Sequence, residues 1–226
     1  MLVILDAKRG DIGVSAEHYA AAAVNLGAHA ITVNAYLGPE TVEPYLAAGL
    51  GVFILVRTSN PGSDAVQSPA LADGRSVASM MGDHVRTLGR ASESAGSAAY
   101  SVPSNPSRPI APTAQQALTR AEGSALPALS QVGAVVGATK AAEGESLRRL
   151  MPDTPFLVPG YGAQGGTADD VRRLLRPGAR TPAHAGVIVN SSRAVLYPPT
   201  PDPARWQHSI AAAARALVAD LASILP

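Results

Sequence analysis

Apolar residues in this chain come in short continuous runs, separated by longer stretches with helical spacing. Six runs, at 2–5, 30–34, 52–56, 133–137, 156–159 and 186–190, are rich in β-branched residues and do not alternate with polar ones. Unbroken runs of that length predict strands covered on both faces, as in a parallel sheet. Between them, residues 15–26, 39–48, 69–94, 144–151, 168–175 and 203–225 read as helices. The first starts near Ser15, and Gly27 follows its end. In the last, Ile210, Leu217, Leu221 and Ile224 form a core-facing stripe, and Trp206 reads as an anchor at its start.

A repeated βα order predicts an α/β fold with helices outside a parallel sheet. Doubly wound sheets and closed barrels share that order. No GxGxxG stands at the first strand-to-helix turn, which argues against a dinucleotide-binding sheet. Polar residues and glycines gather instead after each strand's carboxyl end, in DAKRGD, NAYLG, RTSNPG, PGYGAQGG and NSSR. A barrel builds its active site from those loops. The expected fold is therefore of the (β/α)8 TIM-barrel type, with about six of the eight β/α units, as one incomplete domain over 1–226. The chain opens inside a strand, so this reading expects an upstream segment; a barrel cut there exposes strand edges. Residues 97–127 break the pattern, with proline, serine and alanine dominant. They are expected to form a flexible insertion at the surface.

Composition narrows the chemistry. There are no cysteines, which excludes disulfides, thiolate metal sites and cysteine nucleophiles. A net charge of +1 offers no field for nucleic acid or a membrane surface. No apolar run approaches the roughly 20 residues of a membrane span, and no signal stretch opens the chain; a cytoplasmic protein is expected. The five histidines have no metal-ligand spacing. Of 18 basic residues only Lys8 and Lys140 are lysines. Lysine, unlike arginine, can give up its proton, so the position of Lys8 matters.

Lys8 lies in the densest cluster of candidate chemistry, Asp6-Ala7-Lys8-Arg9-Gly10-Asp11. Residues two apart on a strand share a face, so Asp6 and Lys8 project together. Carboxylates beside an ammonium favour its charged form, which suits a proton donor to a carbanion. A strand-end salt bridge beside a turn is the plain alternative. A second candidate feature is a phosphate grip. Barrels of this type hold phosphate between the loops after the last two strands. There the glycine loop 160–166, including Gln164 and Gly165, precedes Arg193 by one strand. Glycine lets backbone N–H groups approach an anion, and a guanidinium pairs with phosphate oxygens. The alternatives are an ordinary turn and a solvated charge.

DAKRGDI resembles the Asp-x-Lys-x-x-Asp signature of the orotidine 5'-phosphate decarboxylases, found at the end of the third barrel strand. AITVNAYLG, GVFILVRTSNPG, VGAVVGAT, FLVPGYGAQGG and GVIVNSSRAVLY resemble further strand-and-loop segments of one branch of that family, in the same order. The likeness covers nearly all of the chain except 97–127. It implies that Lys8 delivers a proton to carbon 6 of the pyrimidine as carbon dioxide leaves. Asp6 resembles the carboxylate beside the departing group, and Asp11 the aspartate that reaches into a partner subunit's site. A homodimer with shared sites is implied, with no metal or organic cofactor. Ser59 resembles a serine that hydrogen-bonds the pyrimidine, and Gln164 a glutamine bridging to the phosphate; otherwise Ser59 is a turn former. Ser15 aligns with a threonine near the substrate, or caps its helix.

The family pattern also has an aspartate on the first strand and a lysine on the second. Neither has a counterpart here, which implies little activity from these 226 residues alone. Two other readings stand beside this one: a metal-dependent sugar-phosphate decarboxylase or synthase of the same superfamily, and an inactive fragment or binding protein.

Overall fold

The computed structural model describes residues 2–95, 129–198 and 202–225, and the expected insertion at 97–127 lies outside them. Six strands form one sheet: β1 (Ile4–Arg9), β2 (Ala30–Val33), β3 (Gly51–Arg57), β4 (Val132–Val136), β5 (Phe156–Val158) and β6 (Val187–Val189). Every neighbouring pair is parallel, and spatial order follows chain order from β1 to β6. A doubly wound sheet reverses its strand order at a switch point, whereas unreversed order keeps every crossover on one side. The result is a curled half-barrel with its helices outside. The strands match their expected positions within a few residues, except β1. It does not stop at Leu5 but carries on through Asp6 and Lys8 to Arg9.

The helices are α1 (Gly13–Asn25), α2 (Glu43–Ala47), α3 (Asp64–Gln67), α4 (Val77–Ala95), α5 (Ala141–Leu150), α6 (Ala168–Arg173), α7 (Ser192–Leu196) and α8 (Trp206–Ala222). Three expectations need correction. The helix read over 69–94 begins only at Val77, because Asp73 and Gly74 make a turn first. Gly74 takes φ +83°, the Gly74 N–H donates to Leu71 O (2.9 Å), and Asp73 Oδ1 accepts from the Arg75 N–H (3.0 Å). Ser15 does not cap α1; Ile12 is the N-cap residue and Ser15 is in the first turn. Trp206 is 56 % exposed and anchors nothing in the core. No helix among the described residues is long and apolar enough to cross a membrane.

The sheet has two apolar faces, which is why its strands read as continuous runs. Outward-facing Ile31, Val33, Val52, Ile54, Val132, Ala134, Val136, Phe156 and Val158 pack under the helices in the main core. Inward-facing Ala30, Phe53, Val135 and Leu157 form a second cluster with Ile4, Leu55 and Ile188. Gly133 makes room inside: a Cβ there would sit 2.5 Å from the Phe53 ring. At the amino-terminal rim, buried Arg148 ties elements together through carbonyl oxygens. Its guanidinium donates to Leu174 O (2.9 Å), Thr154 O (2.7 Å), Met151 O (3.1 Å) and Gly186 O (2.9 Å), over the face of Phe156. Burial, and then repulsion from Arg176, pushes Arg148 down to about 9, so it is still charged at neutral pH.

Candidate active site

β1 and β2 pair Leu5 with Ile31 and Arg9 with Val33, leaving Asp6, Ala7 and Lys8 opposite Thr32 alone. This bulge re-aims the strand end, as bulges beside active sites commonly do. Lys8 takes φ +49°, the one non-glycine residue in the left-handed region among those described. That conformation is unfavourable by about 1–2 kcal/mol for a side-chain-bearing residue, and local bonds hold it. The Lys8 N–H donates to Thr32 Oγ1 (2.9 Å), the Thr32 hydroxyl donates to Asp6 Oδ1 (2.8 Å), and Lys8 Nζ donates to the same oxygen (2.6 Å). Ala30 faces inward and its neighbours Ile31 and Val33 outward, so alternation puts buried Thr32 on the inner face. Sequence reasoning missed Thr32; its only signal was a hydroxyl in an otherwise apolar strand.

The Lys8 and Asp6 side chains are about half exposed, open to a ligand. Asp11 does not complete the expected pair of carboxylates around the ammonium. Its Oδ1 accepts from the Ile12 N–H (2.9 Å) instead, and among the described residues the Lys8 ammonium pairs with Asp6. Gly10 lets the chain turn against Asn34, whose carbonyl oxygen would be 2.9 Å from a Cβ at that position.

Two other predicted residues do meet. The Ser59 hydroxyl donates to Gln164 Oε1 (2.9 Å), joining the loop after β3 to the loop after β5 across 105 positions. Close approach is possible because Gly137 and Gly160 flank Ser59. A Cβ at Gly137 would lie 2.8 Å from Ser59 Cα, and one at Gly160, 3.0 Å from Ser59 Cβ. Thr139, another residue not anticipated, donates from Oγ1 to Ser59 O (3.2 Å). Beneath this loop Arg57 ends β3, 1 % exposed, and it too went unforeseen.

The glycine loop is closed on itself. The N–H groups of Gly162, Gly165 and Gly166 donate to Gly166 O, Gly162 O and Gly160 O at 2.8, 2.8 and 3.0 Å. Gly165 therefore serves by its φ of +94°, which shapes the turn, and its own amide is engaged within the loop. Ser191 Oγ donates to Tyr161 O (3.1 Å), fastening this loop to the segment after β6, where α7 carries exposed Arg193. All six strands are parallel, so Lys8, Ser59, Gln164 and Arg193 lie on one rim. Ser15 is exposed on the same side, in the first turn of α1. A separate cleft of about 700 Å3 opens among Tyr161, Ser191, α7 and α8; Lys8, Ser59, Gln164 and Arg193 do not line it.

Residues 1–204 match the model of the orotidine 5'-phosphate decarboxylase / HUMPS family. An orotidine 5'-phosphate decarboxylase of Paracidovorax citrulli is 42 % identical over 200 residues, covering 86 % of this chain and 58 % of the relative. One from Bordetella pertussis is 39 % identical over 222 residues, 95 % of this chain and 64 % of the relative. The chain thus spans about three fifths of the length of these curated relatives. Among solved structures, a putative orotidine-monophosphate-decarboxylase of Toxoplasma gondii superposes with TM-score 0.72 at 31 % identity, covering 99 % of this chain and 67 % of that one. A putative orotidine 5'-phosphate decarboxylase of Streptomyces avermitilis gives 0.61 at 30 % identity, covering 98 % and 66 %. A curled parallel sheet with its polar residues on one rim, together with these likenesses, places the chain in the orotidine 5'-phosphate decarboxylase / HUMPS family.

Proposed function

We propose that this chain carries the proton-donating and pyrimidine-binding part of an orotidine 5'-phosphate decarboxylase, acting in pyrimidine biosynthesis. The observation that carries the reading is the Asp6–Thr32–Lys8 cluster, on the same rim as the Ser59–Gln164 pair and Arg193. In this mechanism the bond from carbon 6 to the carboxylate breaks, and its electron pair stays on the ring. Lys8 Nζ gives its proton to that carbon as carbon dioxide departs. Asp6 keeps the ammonium aimed and sets a negative charge beside the leaving carboxylate. Arg193 pairs with the phosphate, and binding energy from that remote group supports the reacting end. The reaction needs no cofactor, because fixed charges stabilise the developing carbanion.

Asp11 serves a second copy of the chain in this reading. Ile12, Val14, Tyr36 and Leu37 are 54–78 % exposed on adjacent loop ends after β1 and β2, an apolar surface suited to a homodimer. The aspartate and lysine that the family carries on two further strands have no counterpart in residues 1–226. Alone, this chain is therefore expected to show little or no turnover. Loss of orotidine 5'-phosphate absorbance, followed with the 226-residue chain and with a form carrying those two residues, tests this. Full activity from the short chain, or dependence on a divalent metal, contradicts the reading.

A further inference from the structure

We propose that Arg57, fully buried beneath the loop, is a positioning residue for nucleobase recognition: through Ser63 its guanidinium holds the Thr58 and Asn60 carbonyls that flank Ser59, and through Gln67 the Thr58 N–H, so that the Ser59 hydroxyl meets Gln164. The inference rests on the nucleotide reading above and adds to it a buried determinant.

β3 and β4 pair Leu55 with Val135 but Arg57 with Val136, a bulge that puts Arg57 level with an outward-facing residue. Its head therefore enters the layer between strand ends and helices. All five N–H donors find acceptors there. Nε and Nη2 take the two oxygens of Glu143 on α5 side-on (2.6 and 2.9 Å), Nη1 donates to Ser63 Oγ (2.7 Å) and Gln67 Oε1 (3.3 Å), and Nη2 also donates to Asp64. Lys140, from the loop after β4, grips the same Asp64 oxygen at 2.7 Å.

A guanidinium only donates. Ser63 must accept from it, so the single hydroxyl proton points to the loop carbonyls, Asn60 O (2.7 Å) and Thr58 O (3.1 Å). The same constraint turns the Gln67 carbonyl oxygen inward, where it also accepts from the Thr58 N–H (2.8 Å). The peptide just before Ser59 (Thr58–Ser59) and the second one after it (Asn60–Pro61) are thus held from below by groups that Arg57 orients. Thr139 holds Ser59 O from the side. Lysine, with three donors and no planar fork, cannot reproduce this set.

The test compares the native chain with Arg57→Lys and Glu143→Gln, titrating UMP and, separately, ribose 5-phosphate, which lacks the base. Deuterium exchange over residues 57–67 is followed alongside. Arg57→Lys is expected to weaken UMP at least tenfold and to leave ribose 5-phosphate within twofold. Residues 58–63 should exchange faster while β2 stays protected. Glu143→Gln, half exposed and milder, should move both readouts in the same direction, and it carries the test if Arg57→Lys has no melting transition. Equal weakening of both ligands, or a native preference for UMP that survives in these variants, overturns the role of Arg57 alone. A native chain that holds UMP no more tightly than ribose 5-phosphate overturns the nucleotide reading and the recognition role together.

Discussion

Lys8 combines a side chain at the centre of the proposed chemistry with a backbone that side-chain-bearing residues avoid. Its φ of +49° is held by Thr32, which accepts from its N–H and donates to Asp6. Strained residues cluster at functional sites because the surrounding structure over-determines them. Two substitutions separate backbone strain from charge. Lys8→Gly and Lys8→Ala both remove the ammonium, but only glycine is relaxed at positive φ. The glycine variant should be the more stable by about 1 kcal/mol, a melting difference of about 2–4 °C for a chain of this size; identical melting curves would show that the left-handed backbone carries no strain. Thr32→Val keeps the shape and removes the hydroxyl, stranding a part-buried N–H. Urea unfolding should register a loss of about 1–2 kcal/mol, and no loss would mean that the bulge stands without its bridge.

Between the strands and the helices, two buried arginines, Arg57 and Arg148, bind neighbouring elements together on opposite rims. Arg148 joins the segments before β5 and β6 to α5 and α6 through the carbonyl oxygens of Leu174, Thr154 and Gly186. Arg148→Met strips its side-chain donor from Leu174 O and Thr154 O, while Gly186 O keeps the Phe156 N–H, and a loss of about 3–5 kcal/mol is expected in chemical denaturation. A loss under 1 kcal/mol would show that the carbonyls find other donors. On the opposite rim, hydrogen bonds from Lys140 and then Arg57 hold the Asp64 carboxyl below the usual carboxylate range. A depressed folded-state value means a contribution present above the unfolded value, near 4, and lost as pH falls through the lower folded one. The loop over 58–67 should therefore keep its protease resistance from pH 8 to 5 and loosen only below about pH 4. Loosening at pH 6 would point to another group.

At the scale of the molecule, β1 and β6 each have one strand neighbour among the described residues, and their outer edges are unpaired within them. Unpaired edges recruit further chain. The exposed apolar group on the loop ends after β1 and β2 is a separate surface, beside Asp11, and it is the one assigned to a second copy. Val14→Glu with Leu37→Glu should shift sedimentation from dimer to monomer while helical content stays unchanged. A native chain that sediments as a monomer at every concentration removes the shared-site reading of Asp11.

Strand and helix order, and the rim where polar residues and glycines gather, were legible in the residues themselves, whereas Ser59 and Gln164 were singled out by the family resemblance. Continuous apolar runs and glycine-rich strand ends are local signals, produced by burial on both faces and by turns. Long-range partnership was not legible. Thr32 looked like one strand residue among others, yet it closes the bond between Asp6 and Lys8 from 26 positions away. Arg57 and Glu143 stand 86 positions apart and meet only because a bulge turns one strand end toward a helix. The start of α4 was misjudged for the opposite reason, since a two-residue turn outweighed the helical spacing around it. The sequence by itself determined which elements form and which rim is polar, because periodicity and turn chemistry are encoded within a few residues. Which side chain holds which was decided by the tertiary structure, because bulges and buried hydrogen bonds exist only once distant strands lie in register.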